Sequence, residues 1–306
     1  MRKIIDFHAH LGDIFHSKNN ILWDQNVQHG DYINPFMELE KSGFVNPLIG
    51  DSFEEFKILL NASDNLNAEN TLQNLSKKLD DNNITYICIF PILPNNSFEE
   101  MLAASKFEPR ILPFTSADYS LPLEKMVEKL KLDVQRGARG LKIHPVIQNI
   151  RLSDPKVHAA VETIASYNLP IISHCGANDY YVPEAPYARD PEAGDVKYFI
   201  ELAQKYPDVT LVAGHAGGLM GGEIELLTEK TKGLKNLYVD TTFRSAQDIL
   251  RAVEFFGRER VLYGTDNPFA THVGTMLQVE NACKNDAQLA DLIFFENAAR
   301  ILHIYR

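Results

Sequence analysis

Short apolar runs alternate with longer amphipathic stretches along this chain. The runs are Ile4 to Phe7, Ile84 to Phe90, Ile111 to Phe114, Gly140 to Ile143, Pro170 to Ser173, Thr210 to Ala213, Leu237 to Val239 and Val261 to Tyr263, eight in all. Between them, Leu123 to Gln135, Val157 to Tyr167, Asp195 to Lys205 and Gln247 to Phe256 repeat apolar residues near helical spacing. Buried strands alternating with helices imply parallel β-α connections, and eight such units close into a (β/α)8 TIM barrel. An open doubly wound sheet is the competing arrangement, but it holds its first and last strands far apart.

Two regions depart from the repeat. Residues Gly12 to about Asn70 form a long insertion between strand 1 and its helix, which is expected at about Glu69 to Asp80. The insertion is rich in asparagine and aromatics and holds the only tryptophan, Trp23. Its position predicts a cover over the C-terminal mouth of the barrel, where long loops act as lids or substrate walls. Gly176 to Gly194, with Tyr180, Tyr181, Tyr187 and three prolines, is expected to form another wall. No internal repeat or low-complexity linker marks off a second unit, so residues 1–306 are read as a single domain.

Composition narrows the function classes. With 306 residues, 45% hydrophobic and 23% charged, the chain can bury a barrel-sized core. A net charge of −11, without a dense lysine or arginine cluster, argues against nucleic acid as a partner. The longest nearly apolar run, Ile84 to Leu93, is about half the roughly 20 residues a membrane-spanning helix needs. No apolar signal region precedes the first strand, so the expected location is cytoplasmic, with no membrane partner. Cys88, Cys175 and Cys283 are too widely spaced for a disulfide framework or a zinc cluster. The expected partner is a small-molecule substrate, and a homo-oligomer is compatible with the sequence.

Candidate chemistry gathers at strand ends. In Asp6-Phe7-His8-Ala9-His10, alternation places Asp6, His8 and His10 on one face. A two-residue rise of about 6.6 Å lets two imidazoles reach one ion at about 2.0 to 2.1 Å from each nitrogen. A lone His-x-His serves packing equally well. Here, however, His174 ends the fifth strand, His215 the sixth and Asp266 the eighth. These are C-terminal strand ends, where barrel enzymes keep their chemistry. Lys142 and His144 share a face of strand four. Either one could orient a substrate carboxylate or phosphate, a role preferred for His144, and the plain alternative is a buried ion pair with Asp6 or another inward carboxylate. Arg244, in Asp240-Thr241-Thr242-Phe243-Arg244, either grips an anionic substrate in bidentate fashion or caps a helix. His272 falls near the mouth, His16 and His29 lie in the insertion, and Cys175 points away from the His174 face.

The order Asp-x-His-x-His, His, His and Gly-Thr-Asp-x-Pro, followed by Glu-Asn-Ala-Ala-Arg-Ile-Leu, resembles the amidohydrolase superfamily. Within it the likeness is to the amidohydrolase 2 group, which includes aminocarboxymuconate semialdehyde decarboxylase and related aromatic-acid decarboxylases. The resemblance runs from Ile4 to Leu302. It implies that His8, His10, His174 and Asp266 bind a divalent ion, usually Zn2+ with Mn2+ as an alternative, and that His215 stands beside the metal-bound water. Bound Zn2+ lowers the pKa of water to about 7. Asp266 and His215 are then the catalytic residues that move its protons, and either can be the principal base. Binuclear relatives place a carboxylated lysine on strand four. Lys142 would need that modification to bridge two ions, because an ammonium has no lone pair. Related phosphodiesterases and nucleases carry a glutamate on that strand, where this chain has Lys142 and His144.

The implied function is metal-dependent hydrolysis of a C–N, lactone or ester bond in a small carboxylated molecule. The alternatives are nonoxidative decarboxylation of an aromatic or unsaturated acid, and a metal-retaining binding protein without turnover.

Overall fold

The computed structural model describes residues 2–16, 31–45, 52–187, 190–219 and 222–304. Trp23 and His29 lie outside the described residues. All strand pairs are parallel. Among the nine strand segments of the described residues, Ile111–Pro113 pairs with Tyr86–Ile89, and Thr115–Ser116 pairs with Leu141–Ile143. These two segments are halves of one strand broken at Phe114, which leaves eight. They are β1 (Ile5–Ala9), β2 (Tyr86–Ile89), β3 (Ile111–Pro113 with Thr115–Ser116), β4 (Leu141–Ile143), β5 (Ile171–Ser173), β6 (Leu211–Ala213), β7 (Leu237–Asp240) and β8 (Val261–Leu262). Every expected strand is present, and the helix Leu123–Gln135 has the span that its periodicity predicts.

The sheet closes on itself. Phe7 N donates to Tyr263 O (2.8 Å), Asp266 N to His8 O (2.7 Å) and His10 N to Asn267 O (2.8 Å). The first and last strands are therefore neighbours, as a TIM barrel requires and an open sheet forbids. Inside the ring, Ile5, Phe7, Cys88, Phe90, Leu112, Phe114, Ile172, Val212 and Leu262 pack together. Outward residues such as Ala9, Ile87, Ile143 and Val239 pack with helix residues such as Leu75, Leu79 and Ile164.

The two clusters reveal a departure from simple alternation in β1. From Asp6 to Ala9 the strand advances three residues while β2 advances two, from Ile87 to Ile89. This is a β-bulge, which re-aims the side chains beyond it. Ile5 and Phe7 face inward before the bulge, and His8 and His10 face inward after it, with Ala9 turned out. Asp6 therefore does not share the histidines' face, contrary to the alternation argument. Its carboxylate accepts from Thr265 N (3.1 Å) and Thr265 Oγ1 (2.6 Å) beside β8.

Between β1 and β2 run α1 (Pro35–Lys41), α2 (Phe53–Glu69) and α3 (Leu72–Asp81). Ser52 and Glu55 form a reciprocal capping box that starts α2. Ile14, Phe15, Phe36 and Leu59 of this segment pack with Phe243 and Phe269 from the far side of the ring. Glu40 of α1 accepts from Thr271 N and Oγ1, which ties the segment to the loop after β8. Among the described residues no helix is long and apolar enough to cross a membrane, and the three cysteines are free and buried.

Asn297 near the C-terminus is fully buried, and its Nδ2 donates to Arg258 O (2.8 Å) and Val261 O (2.9 Å), clamping the start of β8. Asn297→Ala strands two carbonyls and should lower stability by about 2 kcal/mol. Thermal melting checks this, and an unchanged midpoint would deny the clamp.

Candidate active site

Two imidazoles and a carboxylate converge where β1 meets the segment after β8. Asp266 Oδ1 lies 3.3 Å from His8 Nε2 and 3.3 Å from His10 Nε2, and the three ligand atoms fall within 4.8 Å of one another. Asp266 adopts a left-handed backbone with φ 59°. Such a conformation costs a non-glycine residue about 1–3 kcal/mol and is concentrated at functional sites. The chain also approaches closely here: a Cβ on Gly264 would stand 2.9 Å from His8 Cβ.

Hydrogen-bond partners decide which nitrogens are free. His8 Nδ1 is 2.8 Å from Asp240 Oδ2, and His10 Nδ1 is 2.9 Å from the Phe90 carbonyl. These oxygens accept, so both rings carry the proton on Nδ1 and turn a lone pair on Nε2 toward Asp266. Burial pushes His8 well below the ordinary imidazole value, and Lys142 adds to the effect. Burial opposes ionisation of Asp266, but the His8 and His10 rings and the Lys142 ammonium outweigh it and hold the carboxyl below its usual value. The donor set fits a divalent ion. A tetrahedral site with bonds of about 2.0–2.1 Å has ligand atoms about 3.3 Å apart.

His174 stands outside this trio. Its Nε2 is 2.9 Å from the Tyr180 hydroxyl, and its Nδ1 is 3.0 Å from His215 Nε2. The far end of the chain gives its direction. Thr242 donates its only hydroxyl proton to Asp240 Oδ1 (2.6 Å) and must accept from His215 Nδ1 (2.7 Å). His215 Nε2 then accepts from His174 Nδ1, and His174 Nε2 accepts from Tyr180. Burial, reinforced by neighbouring positive groups, pushes both rings well below the imidazole value, so they are neutral. His8, His215 and Asp240 also lie close together, but these hydrogen bonds already occupy both Asp240 oxygens.

The remaining candidates take different places. Lys142 Nζ lies 3.0 Å from His8 Nε2, and burial lowers its pKa to about 8. The inward carboxylates that act on its charge are Asp266 and Asp240, not Asp6. His144 stacks on His174, with ring centres 4.1 Å apart and planes 10° apart. Its Nδ1 accepts from Ile147 N (3.3 Å), which leaves its proton on Nε2. Arg244 is turned away from the cavity: its guanidinium donates to the carbonyls of His215 and Gly218, behind the turn that carries His215 at φ 56°. His272 is buried 3.1 Å from Asp6 and is not at the mouth. Cys175 packs in the outward cluster.

The polar groups at the strand ends open onto a cavity. His10, Asp266, His144, His174, His215 and Tyr180 line it together with Phe15, Phe36, Leu59, Phe243 and Phe269. The sequence profile of the amidohydrolase family matches residues 5–304. The chain belongs to the amidohydrolase family.

No curated protein matches this amidohydrolase. Among solved structures it is similar to 5-carboxyvanillate decarboxylase LigW from Sphingomonas paucimobilis, with 16% identity over 100% of both chains and a TM-score of 0.64. It is also similar to a dihydroxybenzoic acid decarboxylase from Polaromonas sp. JS666 with bound manganese. That likeness has 15% identity over 100% of this chain and 98% of the other, at a TM-score of 0.65. A probable 2-pyrone-4,6-dicarboxylic acid hydrolase from Acinetobacter baumannii is 13% identical over 98% of this chain and 99% of its own, with a TM-score of 0.61. At these identities the likeness carries the fold.

Sequence reasoning passed over Asp240, which holds His8 directly and His215 through Thr242. The signal was available, because Asp240 ends β7 as His174 and Asp266 close their own strand motifs. For this amidohydrolase, His10→Ala should drop divalent-metal content to background by plasma mass spectrometry while far-ultraviolet circular dichroism stays the same. Unchanged content would contradict the trio. Lys142→Met removes an ammonium competing for His8 Nε2 and should tighten one-ion binding by about tenfold. Loss of metal in that variant would instead make Lys142 a ligand in carboxylated form.

Proposed function

We propose that the protein is a divalent-metal-dependent nonoxidative decarboxylase of a small aromatic or unsaturated carboxylic acid. The observation that carries this reading is the His8–His10–Asp266 trio opening onto a cavity walled by Phe15, Phe36, Phe243 and Phe269, suited to a flat hydrocarbon body. The likeness to two aromatic-acid decarboxylases supports it.

His8, His10 and Asp266 would hold the ion. His174 could join as a fourth ligand only by exchanging Tyr180 for it. Two imidazoles and a carboxylate suit Zn2+ or Mn2+. When bound, the ion supplies Lewis acidity that orients a carboxylate and offsets developing negative charge. His144 Nε2–H is a neutral donor for a substrate carboxylate oxygen. The C–CO2 bond breaks, CO2 departs, and the electron pair left on carbon takes up a proton. Asp266, ionised at rest, is better placed than His215 to relay that proton from a water molecule to the carbon, with hydroxide left in the solvent, since it lines the cavity while both His215 nitrogens have protein partners. Neither Lys142 nor Arg244 lines the cavity among the described residues, so we assign Lys142 to tuning the charge at His8 and Arg244 to shaping the His215 turn.

Hydrolysis of a C–N, lactone or ester bond is the second reading, favoured by the likeness to a probable lactone-type hydrolase. Incubation of the Mn2+-loaded protein with hydroxybenzoates, and in parallel with lactones and amides of small carboxylated molecules, in deuterated, 18O-labelled water separates the two. Decarboxylation predicts CO2 release with one deuterium on the vacated carbon and no 18O in the ring product. Hydrolysis predicts 18O incorporation, from lactone or amide substrates, without CO2.

A further inference from the structure

Outside the metal trio and His144, the polar side chains of the cavity wall answer one another or the backbone. Asn178 donates to the Tyr180 oxygen, and the Tyr180 hydroxyl donates to His174 Nε2. His215 is held at both nitrogens. Asp179 Oδ1 accepts from Tyr180 N (2.9 Å) and Tyr181 N (3.3 Å). Ser63 spends its only hydroxyl proton on the Leu59 carbonyl of its own helix, at 2.9 Å. The groups left to bind a ligand's polar atoms therefore lie together on the floor.

The charge of the wall points the same way. Among the described residues no lysine or arginine lines the cavity, and burial holds His144, His174 and His215 neutral. Asp179 adds a carboxylate to the lining. An anion placed away from the floor would be buried without a partner, which is strongly unfavourable.

What faces the floor is hydrocarbon on α2. Leu59, Leu60 and Ser63, at positions i, i+1 and i+4, turn one face of this helix to the cavity. Ile14 and Phe36 of the same segment extend the surface. Leu59 is buried and fixed by packing with both, whereas Leu60 is half-buried.

We propose that this face of α2 is a tail subsite: the cavity takes an acid whose polar atoms sit at one end and whose other end is an alkyl or aryl group, and it rejects an acid with a second carboxylate. The proposal rests on the decarboxylase reading for the carboxylate that the floor holds, though binding of the tail requires no turnover.

Calorimetric titration of the Mn2+-loaded protein with benzoate, 3- and 4-propylbenzoate, isophthalate and terephthalate tests it. At least one propyl acid should bind about tenfold or more tightly than benzoate. The dicarboxylate substituted at the same position should bind about tenfold or more weakly than benzoate. Leu60→Ala should cut the propyl-to-benzoate ratio by about threefold or more. Leu60→Lys, which sets an ammonium in the wall, should lower the propyl-to-dicarboxylate ratio by about tenfold or more. Each readout is a ratio within one variant, so partial unfolding does not imitate it. No gain from either propyl group, a dicarboxylate as tight as benzoate, no binding by any of the five acids, or an undiminished ratio in either Leu60 variant would overturn the subsite. CO2 release from hydroxybenzoates is read on the same preparation. A propyl preference without CO2 keeps the subsite and removes the reaction, whereas CO2 without the preference does the reverse.

Discussion

Hydrogen bonding between β1 and the segment after β8 is the constraint on which the rest depends. Four backbone bonds, from Phe7 N, His10 N, Thr265 N and Asp266 N, join the two ends of the chain. They bring a carboxylate from residue 266 within 3.3 Å of imidazoles from residues 8 and 10. Closure alone would not suffice. Without the extra residue between Asp6 and Ala9, strict alternation would turn His8 and His10 to the side that holds Asp6, away from the cavity. The bulge gives an apolar interior below, with Phe7 against Phe90 and Phe114, and a polar floor above.

A second level of organisation radiates from Asp240. One buried carboxylate accepts from His8 on one oxygen. On the other it accepts from the backbone of His215 and from both the backbone and the hydroxyl of Thr242. That arrangement sets the tautomers of three histidines in turn, because each ring receives on one nitrogen only after donating from the other. The result is a set of neutral rings held in fixed orientation, the state needed for ligation and for directed hydrogen bonding. Strain is present at the same places: Asp266 and His215 both have left-handed backbones, and the packing around them holds it.

How much of this could be read from the chain differs from one feature to the next. The barrel was legible because each strand is a short apolar run and each helix repeats with its own period. The helix at Leu123–Gln135 and the run at Ile84 to Phe90 carry that signal without ambiguity. The convergence of His8, His10 and Asp266 was legible because strand ends in a closed barrel share one face. Three things were not. The bulge in β1 has no marker in Asp6-Phe7-His8-Ala9-His10, since it is set by pairing with β2. The orientation of His174 depends on Tyr180, six residues away on an irregular segment whose path no periodicity encodes. Arg244 left an anion clamp and a helix cap equally open, because guanidinium chemistry suits both, whereas its partners are two carbonyls that sequence does not display.

The cavity joins these levels to chemistry. Segments from both ends and the middle of the chain meet above the polar floor, with Phe15 and Phe36 from the segment after β1 and Phe269 from beyond β8. A flat acid held between such walls would present its carboxyl group to the floor. The most direct test of the central claim is an anomalous difference map at the manganese edge from crystals grown with Mn2+. The account predicts a single strong peak bounded by His8 Nε2, His10 Nε2 and the Asp266 carboxylate. A map with no peak there, or with its peak at another group of side chains, would contradict it.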